Sequence, residues 1–313
     1  MSGDIQRFTA HEPGVATRKL RELLERPEPI TTPGVVDALG ARLVERAGFE
    51  LCYVTGAGIA NTQFAIPDLG LVTLTEMVEQ VRRIAAASSL PILVDADTGY
   101  GGALSVTRTV QLLEQAGAAG IQLEDQADPK RCGHFDHKRL LDLGEFVEKI
   151  AVAREARRDP DLAIVLRTDA AAVEGLDAAI ERAQLFVELG ADAVFVEAPT
   201  SVEELLRVAR EIPHVPLVAN MVEGGRTPEL STAQLGEMGF RIVLRANLLQ
   251  RVMASAATDA LAYLHEHGHA DGIADRLLSW EDRQEIVGLP EFEQFENRLR
   301  DTASATLQRT EEA

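Results

Sequence analysis

From about residue 30 to residue 265 the chain repeats one phrase: a short aliphatic run, then a helical stretch, often closed by a Gly-containing turn. Strands are expected at 30–35 (ITTPGV), 51–55 (LCYVT), 91–96 (PILVDA), 120–124 (GIQLE), 163–167 (AIVLR), 192–196 (DAVFV), 215–220 (VPLVAN) and 241–245 (RIVLR), eight in all. Helical patterns lie between them, as at 74–87, 103–116 and 176–189. The turns AGF (47–49), AGA (116–118), LGA (189–191) and MGF (238–240) put glycine where a helix needs a left-handed end. Eight successive strand-then-helix units predict an α/β fold, a closed (β/α)8 TIM barrel. An open doubly wound sheet is the weaker alternative, because no strand leads into a G-x-G-x-x-G phosphate turn. Aromatic residues are only 4% against 46% hydrophobic overall, so Ala, Val, Leu and Ile carry the core. That suits strands buried on both faces.

The whole chain, 1–313, reads as one barrel domain with a helical extension at about 270–300. Residues 279–298 are charged and carry the only Trp, which predicts one or two helices outside the barrel; 302–313 reads as a frayed end. Lys plus Arg is 31 and Asp plus Glu is 50, a net charge of −19. This argues against a nucleic-acid or anionic-membrane partner. An anionic substrate would then need a local positive site, which a divalent cation can supply. No apolar run reaches the length of a membrane span, and the N-terminus is polar with no signal-like segment. A cytoplasmic protein is expected. Cys52 and Cys132 are the only cysteines, too few for a disulfide framework.

In such a barrel the active site lies at the C-terminal ends of the strands. Six of those ends carry polar groups: Tyr53, Thr55, Gly56 and Ala57; Asp95 and Asp97; Glu124, Asp125 and Gln126; Arg167, Thr168 and Asp169; Glu197; Asn220. Asp95 and Asp97 stand at i and i+2, which on a strand share a face. Two carboxylates held together call for a proton or a cation between them. With Glu124 from the next strand they make an all-oxygen set suited to Mg2+, with Mn2+ possible. Capping of the following helix is the competing role for either Asp. The segment PKRCGHFDHK (129–138) follows Glu124. Lys130, Arg131 and His134 would lower the pKa of the Cys132 thiol, making it a candidate acid/base or nucleophile. A surface loop with an incidental Cys is the alternative. Cys52, inside an apolar run, reads as core packing. Arg167 needs an anionic partner, either Glu124 or Glu197, or a substrate carboxylate bound by both prongs.

Taken together, TGAG (55–58), PDLGL (67–71), VDADTGYGG (94–102), IQLEDQ (121–126), PKRCGH (129–134), RTDA (167–170), VEGLDAAIERA (173–183), VEA (196–198) and ANMVEGG (219–225) resemble the isocitrate lyase / phosphoenolpyruvate mutase superfamily over roughly residues 18–300. The resemblance implies a (β/α)8 barrel with C-terminal helices and a helix swapped between subunits. The assembly would be a homotetramer built as a dimer of dimers. The Cys-Gly-His run points to the lyase branch, near 2-methylisocitrate and 2,3-dimethylmalate lyases.

By that match Asp95, Asp97 and Glu124 correspond to the magnesium site, with Asp97 the direct ligand. Tyr53, Thr55, Gly56 and Ala57 match the segment that holds the 2-oxo-acid end. Arg167 matches the catalytic arginine, and Cys132 the thiol that exchanges a proton with the leaving carbon. Gly133, His134, Glu197 and Asn220 match the rest of the substrate shell. The implied reaction is a retro-aldol cleavage of a small 2-hydroxy di- or tricarboxylate, such as a 2-alkylmalate or 2-methylisocitrate, to a 2-oxo acid and a carboxylic acid. Oxaloacetate hydrolysis and phosphonomutase chemistry are the alternatives. Val222 and Val196 lean toward the dimethylmalate-lyase and oxaloacetate-hydrolysing relatives. Arg245, where an aromatic residue is commoner, would add a positive charge to the substrate pocket.

Overall fold

A computed structural model describes residues 14–130 and 138–311. Eight parallel strands close in sequence order into a barrel. They are β1 (Ile30–Val35), β2 (Cys52–Val54), β3 (Ile92–Asp95), β4 (Gly120–Glu124), β5 (Ala163–Thr168), β6 (Ala193–Val196), β7 (Leu217–Asn220) and β8 (Phe240–Arg245). Every one lies within two residues of its expected place. Helix α1 (Val15–Glu25) precedes them, and the strands alternate with α2 (Ala38–Arg46), α3 (Gly56–Gln63), α4 (Leu74–Ala87), α5 (Ala103–Ala116), α6 (Leu143–Ala156), α7 (Leu176–Glu188), α8 (Val202–Glu211), α9 (Thr232–Met238) and α10 (Leu248–His267). Local signals set the helix ends. Thr73 and Glu76 form a capping box at α4, as do Ser231 and Gln234 at α9. Gly117 and Gly239 close α5 and α9 with φ of 104° and 109°, a backbone that a side chain would strain.

The strands bury both faces, and the alternation of side chains sorts them into two layers. Leu51, Leu93, Ala163, Val165, Phe195, Val218, Ile242 and Leu244 fill the barrel interior together with Leu20, Leu23 and Leu24 of α1. Gly120 leaves room for this packing: a Cβ there would lie 2.8 Å from Leu20 Cδ2. Cys52, Val54, Ile92, Val94, Ile121, Leu123, Ile164 and Leu166 face outward into the layer shared with the surrounding helices. Two hydrophobic layers, one inside the strands and one outside, are what a filled barrel requires.

The described residues divide into two compact units, 14–253 and 254–311, the first holding the barrel. The second carries α11 (Trp280–Val287) and α12 (Leu289–Glu311). The frayed end expected from residue 302 is corrected for the described residues: α12 continues to Glu311. Residues 302–311 contain no Gly or Pro, and their Ala, Leu, Gln and Arg favour a helix. Among the described residues no helix is long and apolar enough to cross a membrane.

Candidate active site

The interior face of the barrel leads directly into a polar cavity. Two residues beyond the last interior hydrophobe of five strands stands a polar side chain on the same face: Tyr53 after Leu51, Asp95 after Leu93, Arg167 after Val165, Glu197 after Phe195, Asn220 after Val218. These, with Thr55, Ala57, Glu124, Asp68, Lys130 and Val222, line one cavity of about 40 Å³. Glu124, Asp97, Arg167 and Glu197 are all buried. Ionised groups reach such burial only when they compensate one another.

The acidic side of the cavity centres on Asp95 and Asp97. β3 ends at Asp95, and Asp97 stands beyond it in a left-handed backbone with φ of 48°. Their proximity therefore comes from a turn, and not from the continued strand that the i, i+2 spacing suggests. The Asp97 N–H donates to Asp95 Oδ1 at 3.2 Å, which holds the turn. Helix α3 starts against the pair. Thr55 caps it by accepting from the Gly58 N–H at 3.2 Å. The first-turn N–H groups of Gly56 and Ala57 have no acceptor within the helix, so they favour an anion. A Cβ at Gly56 would stand 3.3 Å from both Asp95 Oδ2 and Asp97 Oδ1. If these carboxylates hold a divalent cation, Gly56→Ala is expected to weaken its binding about tenfold with little change in melting temperature, measured by Mn2+ titration; wild-type affinity would refute the crowding.

Lys130 supplies the first counter-charge. Its ammonium lies 2.8 Å from Asp97 Oδ1 and pairs with Asp68, and its side chain is 5% exposed. Burial alone would lower its pKa, but Asp97, Asp68, Asp95 and Glu124 together hold it above the ordinary value. Burial pushes Asp97 up to about 7, while Lys130 pulls the other way. Among the described residues no three His, Cys, Asp or Glu side chains form a ready cage for a metal. The acids instead leave open positions: Glu124 Oε1 is buried with no hydrogen-bond partner.

Arg167 supplies the second counter-charge. Its Nε and Nη2 donate to Asp169 at 2.9 and 3.1 Å. Its guanidinium also lies 3.4 Å from Glu124 and 3.5 Å from Glu197, and 5.2 Å over the Phe195 ring. Burial would lower its pKa, yet Asp169, Glu197 and Glu124 outweigh that and keep it charged. Glu124 is raised by burial, with Arg167 opposing. Tyr53 Oη accepts from Gln122 Nε2 at 3.0 Å, and burial raises its pKa well above the usual phenol range. Asn220 Oδ1 is buried without a hydrogen-bond partner.

Arg245 does not join them. Ile242, Leu244 and Ala246 are the interior residues of the eighth strand and its end, so Arg245 points to the opposite face. There it pairs with Glu229 at 2.5 Å and Glu223 at 3.4 Å and donates to the Leu230 carbonyl at 3.1 Å. The extra pocket charge expected of Arg245 is thus already neutralised outside the cavity. Val196 likewise packs in the outer layer, whereas Val222 lines the cavity. Cys52 is core as expected, its thiol pushed up to about 12 by burial. Cys132, Gly133 and His134 lie outside the described residues. The sequence suggests Lys130 only as a neighbour lowering the thiol pKa; its charge is in fact committed to Asp68 and Asp97. Sequence reasoning assigns no role to Asp68 or Lys138, because their partners are tens of residues away along the chain. Their one signal is membership of the PDLGL phrase and of the segment behind PKRCGH.

Comparisons with known proteins agree with this geometry. The family model described as phosphoenolpyruvate phosphomutase matches residues 20–265. A 2-methylisocitrate lyase of Aeropyrum pernix is 42% identical over 305 residues, covering 97% of each chain. The solved structure of a 2,3-dimethylmalate lyase superposes with a TM-score of 0.86 at 35% identity, covering 91% of this chain and 95% of that one. A phosphonopyruvate hydrolase solved with oxalate and Mg2+ superposes with a TM-score of 0.79 at 29% identity, covering 94% and 99%. With the same barrel, and with its sequence similarity extending over nearly the whole length, this chain belongs to the PEP mutase/isocitrate lyase superfamily.

Proposed function

We propose that this chain is a carbon–carbon lyase that cleaves the C2–C3 bond of a 2-alkylmalate or 2-methylisocitrate type of substrate, using Mg2+ or Mn2+. The observation that carries the reading is the pairing of two opposite half-sites in one buried cavity. Asp95 and Glu124 line it on one side, with Asp97 tied to Asp95 just behind them; facing them is the fork of Arg167 beside Tyr53, Glu197 and Asn220. A substrate with a carboxylate at each end fits between a cation and an arginine.

The residues fit a hard divalent cation. Glu124 Oε1 has no hydrogen-bond partner, and the missing side chain at Gly56 leaves space beside both aspartates. Magnesium takes one or two carboxylates and keeps several waters, so a complete protein cage is not needed. Asp97 would be the direct ligand, with Asp95 and Glu124 acting partly through water. Held there, the cation would draw in the substrate's carboxylate and 2-hydroxyl and offset the charge that develops on bond cleavage.

The chain's own groups do the rest. Thr55 and the N–H groups of Gly56 and Ala57 hold the end that becomes the 2-oxo acid. Burial keeps Tyr53 protonated, so it donates a hydrogen bond and does not act as the base. As the hydroxyl proton leaves to a base beside Tyr53 and Arg167, the C2–O bond becomes a carbonyl and C2–C3 breaks. The electron pair passes to the departing carboxylic acid as an enediolate, which Arg167 stabilises. By the superfamily resemblance, Cys132 would return a proton to C3, and Gly133 and His134 would contact the substrate. Asn220, through its amide N–H groups, and Glu197 would orient the departing half, and Val222 would limit its width.

The same reading places the enzyme in the cytoplasm as a homotetramer. Leu261, Trp280 and Leu307 of the second unit are 65%, 73% and 66% exposed, apolar surface that a second copy would cover. In that assembly a helix is exchanged between partners.

The test is 2-oxo-acid release with and without Mg2+, on 2-methylisocitrate, isocitrate, 2,3-dimethylmalate, other 2-alkylmalates and oxaloacetate, with Cys132→Ser alongside. Metal-dependent release from one alkylmalate or isocitrate, lost in the variant, is the expected result. Oxalate and acetate from oxaloacetate alone would replace the lyase with a hydrolase.

A further inference from the structure

Lys138 is buried, lies directly after the segment that carries Cys132, and has no part in the reaction described above. Its ammonium stands 2.7 Å from Asp169 Oδ1, with the two side chains 1% and 0% exposed. The same Asp169 Oδ1 accepts from Arg167 Nη2 at 3.1 Å, and Oδ2 accepts from Arg167 Nε at 2.9 Å. One carboxylate therefore holds both cations. Asp169 does not line the cavity, whereas Arg167 does. The carboxylate grips the guanidinium from behind, and Lys138 grips the carboxylate.

Asp169 is itself fixed on its other side. Its N–H donates to Asp125 Oδ1 at 2.9 Å, and Thr168 Oγ1 donates to Asp125 Oδ2 at 2.7 Å. Arg182 closes this row at 3.4 Å from Asp125 Oδ2. The row gives Asp169 one orientation, and through it one orientation for the Arg167 fork.

The charge around Arg167 sets the need for a further cation. Glu124, Asp169 and Glu197 all pair with it, so three carboxylates face one guanidinium in a buried site. An anionic substrate entering there would meet net negative charge. Lys138 neutralises part of Asp169, which leaves more of the Arg167 charge directed at the cavity.

We propose that Lys138 is a positioning residue, acting through Asp169 to aim Arg167 and to free its charge for the substrate. The inference rests on Arg167 acting on substrate as proposed above. Buried charge pairs are often only structural, and breaking one destabilises a protein whatever its function. The distinguishing property is that Lys138 and Arg167 meet on the same Asp169 carboxylate.

The experiment is a double-mutant cycle on the full-length enzyme with its best substrate and saturating Mg2+, with melting temperatures measured in parallel. Lys138→Met is expected to lower kcat about 100-fold per folded enzyme and to raise KM, because less of the Arg167 charge then meets the anionic substrate. Lys138→Arg is expected to recover most of that loss, staying within about tenfold of wild type. In an Asp169→Asn background, Lys138→Met should cost less than about threefold more, because the relay is already cut. A Lys138→Met enzyme that melts earlier but keeps its kcat would overturn the inference, as would equal losses in both backgrounds. Should Lys138→Met fail to fold, Lys138→Arg carries the cycle: a loss in the wild-type background and none in Asp169→Asn is expected, and equal effects overturn it. Absence of activity in wild type on every substrate would instead refute the lyase reading.

Discussion

Arg167→Lys is expected to lower kcat/KM by about three orders of magnitude while leaving the fold intact. Removal of one well-aimed donor to a developing oxyanion typically costs about 10²–10³ in rate. Here more is lost than one donor. Arg167 spends Nε and Nη2 on Asp169 and still faces Glu124 and Glu197. A lysine ammonium keeps the charge, so the buried acids stay compensated, but it cannot make a two-pronged grip on one carboxylate while facing another. The loss should therefore fall on kcat, with the melting temperature nearly unchanged. Arg167→Met is a harsher variant and is expected to destabilise as well, since it strands three buried carboxylates. Steady-state kinetics with thermal melts decide the matter. An Arg167→Lys enzyme within about tenfold of wild type would remove Arg167 from the chemistry and leave it a structural counter-ion.

Asp97→Asn is expected to abolish metal-dependent turnover, by about 10³-fold or more, and to weaken Mn2+ binding at least about 100-fold. Two features make Asp97 the sensitive position. It stands in a left-handed backbone that a non-glycine residue adopts at a cost, which the turn bond to Asp95 Oδ1 offsets. It also shares Lys130 with Asp68, so loss of its charge leaves the ammonium to Asp68 alone. Asn is nearly isosteric and populates the same backbone, so the variant should fold. Raised Mg2+ should not restore full rate. Mn2+ binding equal to wild type, followed by paramagnetic resonance, would show that the cation sits elsewhere.

Much of this site is legible in the sequence. The eight aliphatic runs, each with a Gly turn before it or a polar residue after it, specify both the barrel and its functional end. Strand alternation has a period of two, so the position of an interior hydrophobe also gives the facing of the next polar residue. Tyr53, Arg167, Glu197 and Asn220 all obey that rule. Arg245 obeys it too, and the rule sends it outward. Its place at a strand end suggests the pocket, but the interior facing of Leu244 assigns it to the other side.

What sequence alone determined here is the local and periodic part: strand positions, helix caps, interior and exterior faces, and the phrases that mark the superfamily. Each depends on neighbours within a few residues, and so is written in short stretches of chain. Tertiary structure decided the charge pairing. Lys130 meets Asp68 across 62 positions, and Lys138 meets Asp169 across 31. A buried charge must find an opposite charge wherever the closed barrel brings one, and no local pattern records which distant residue that is.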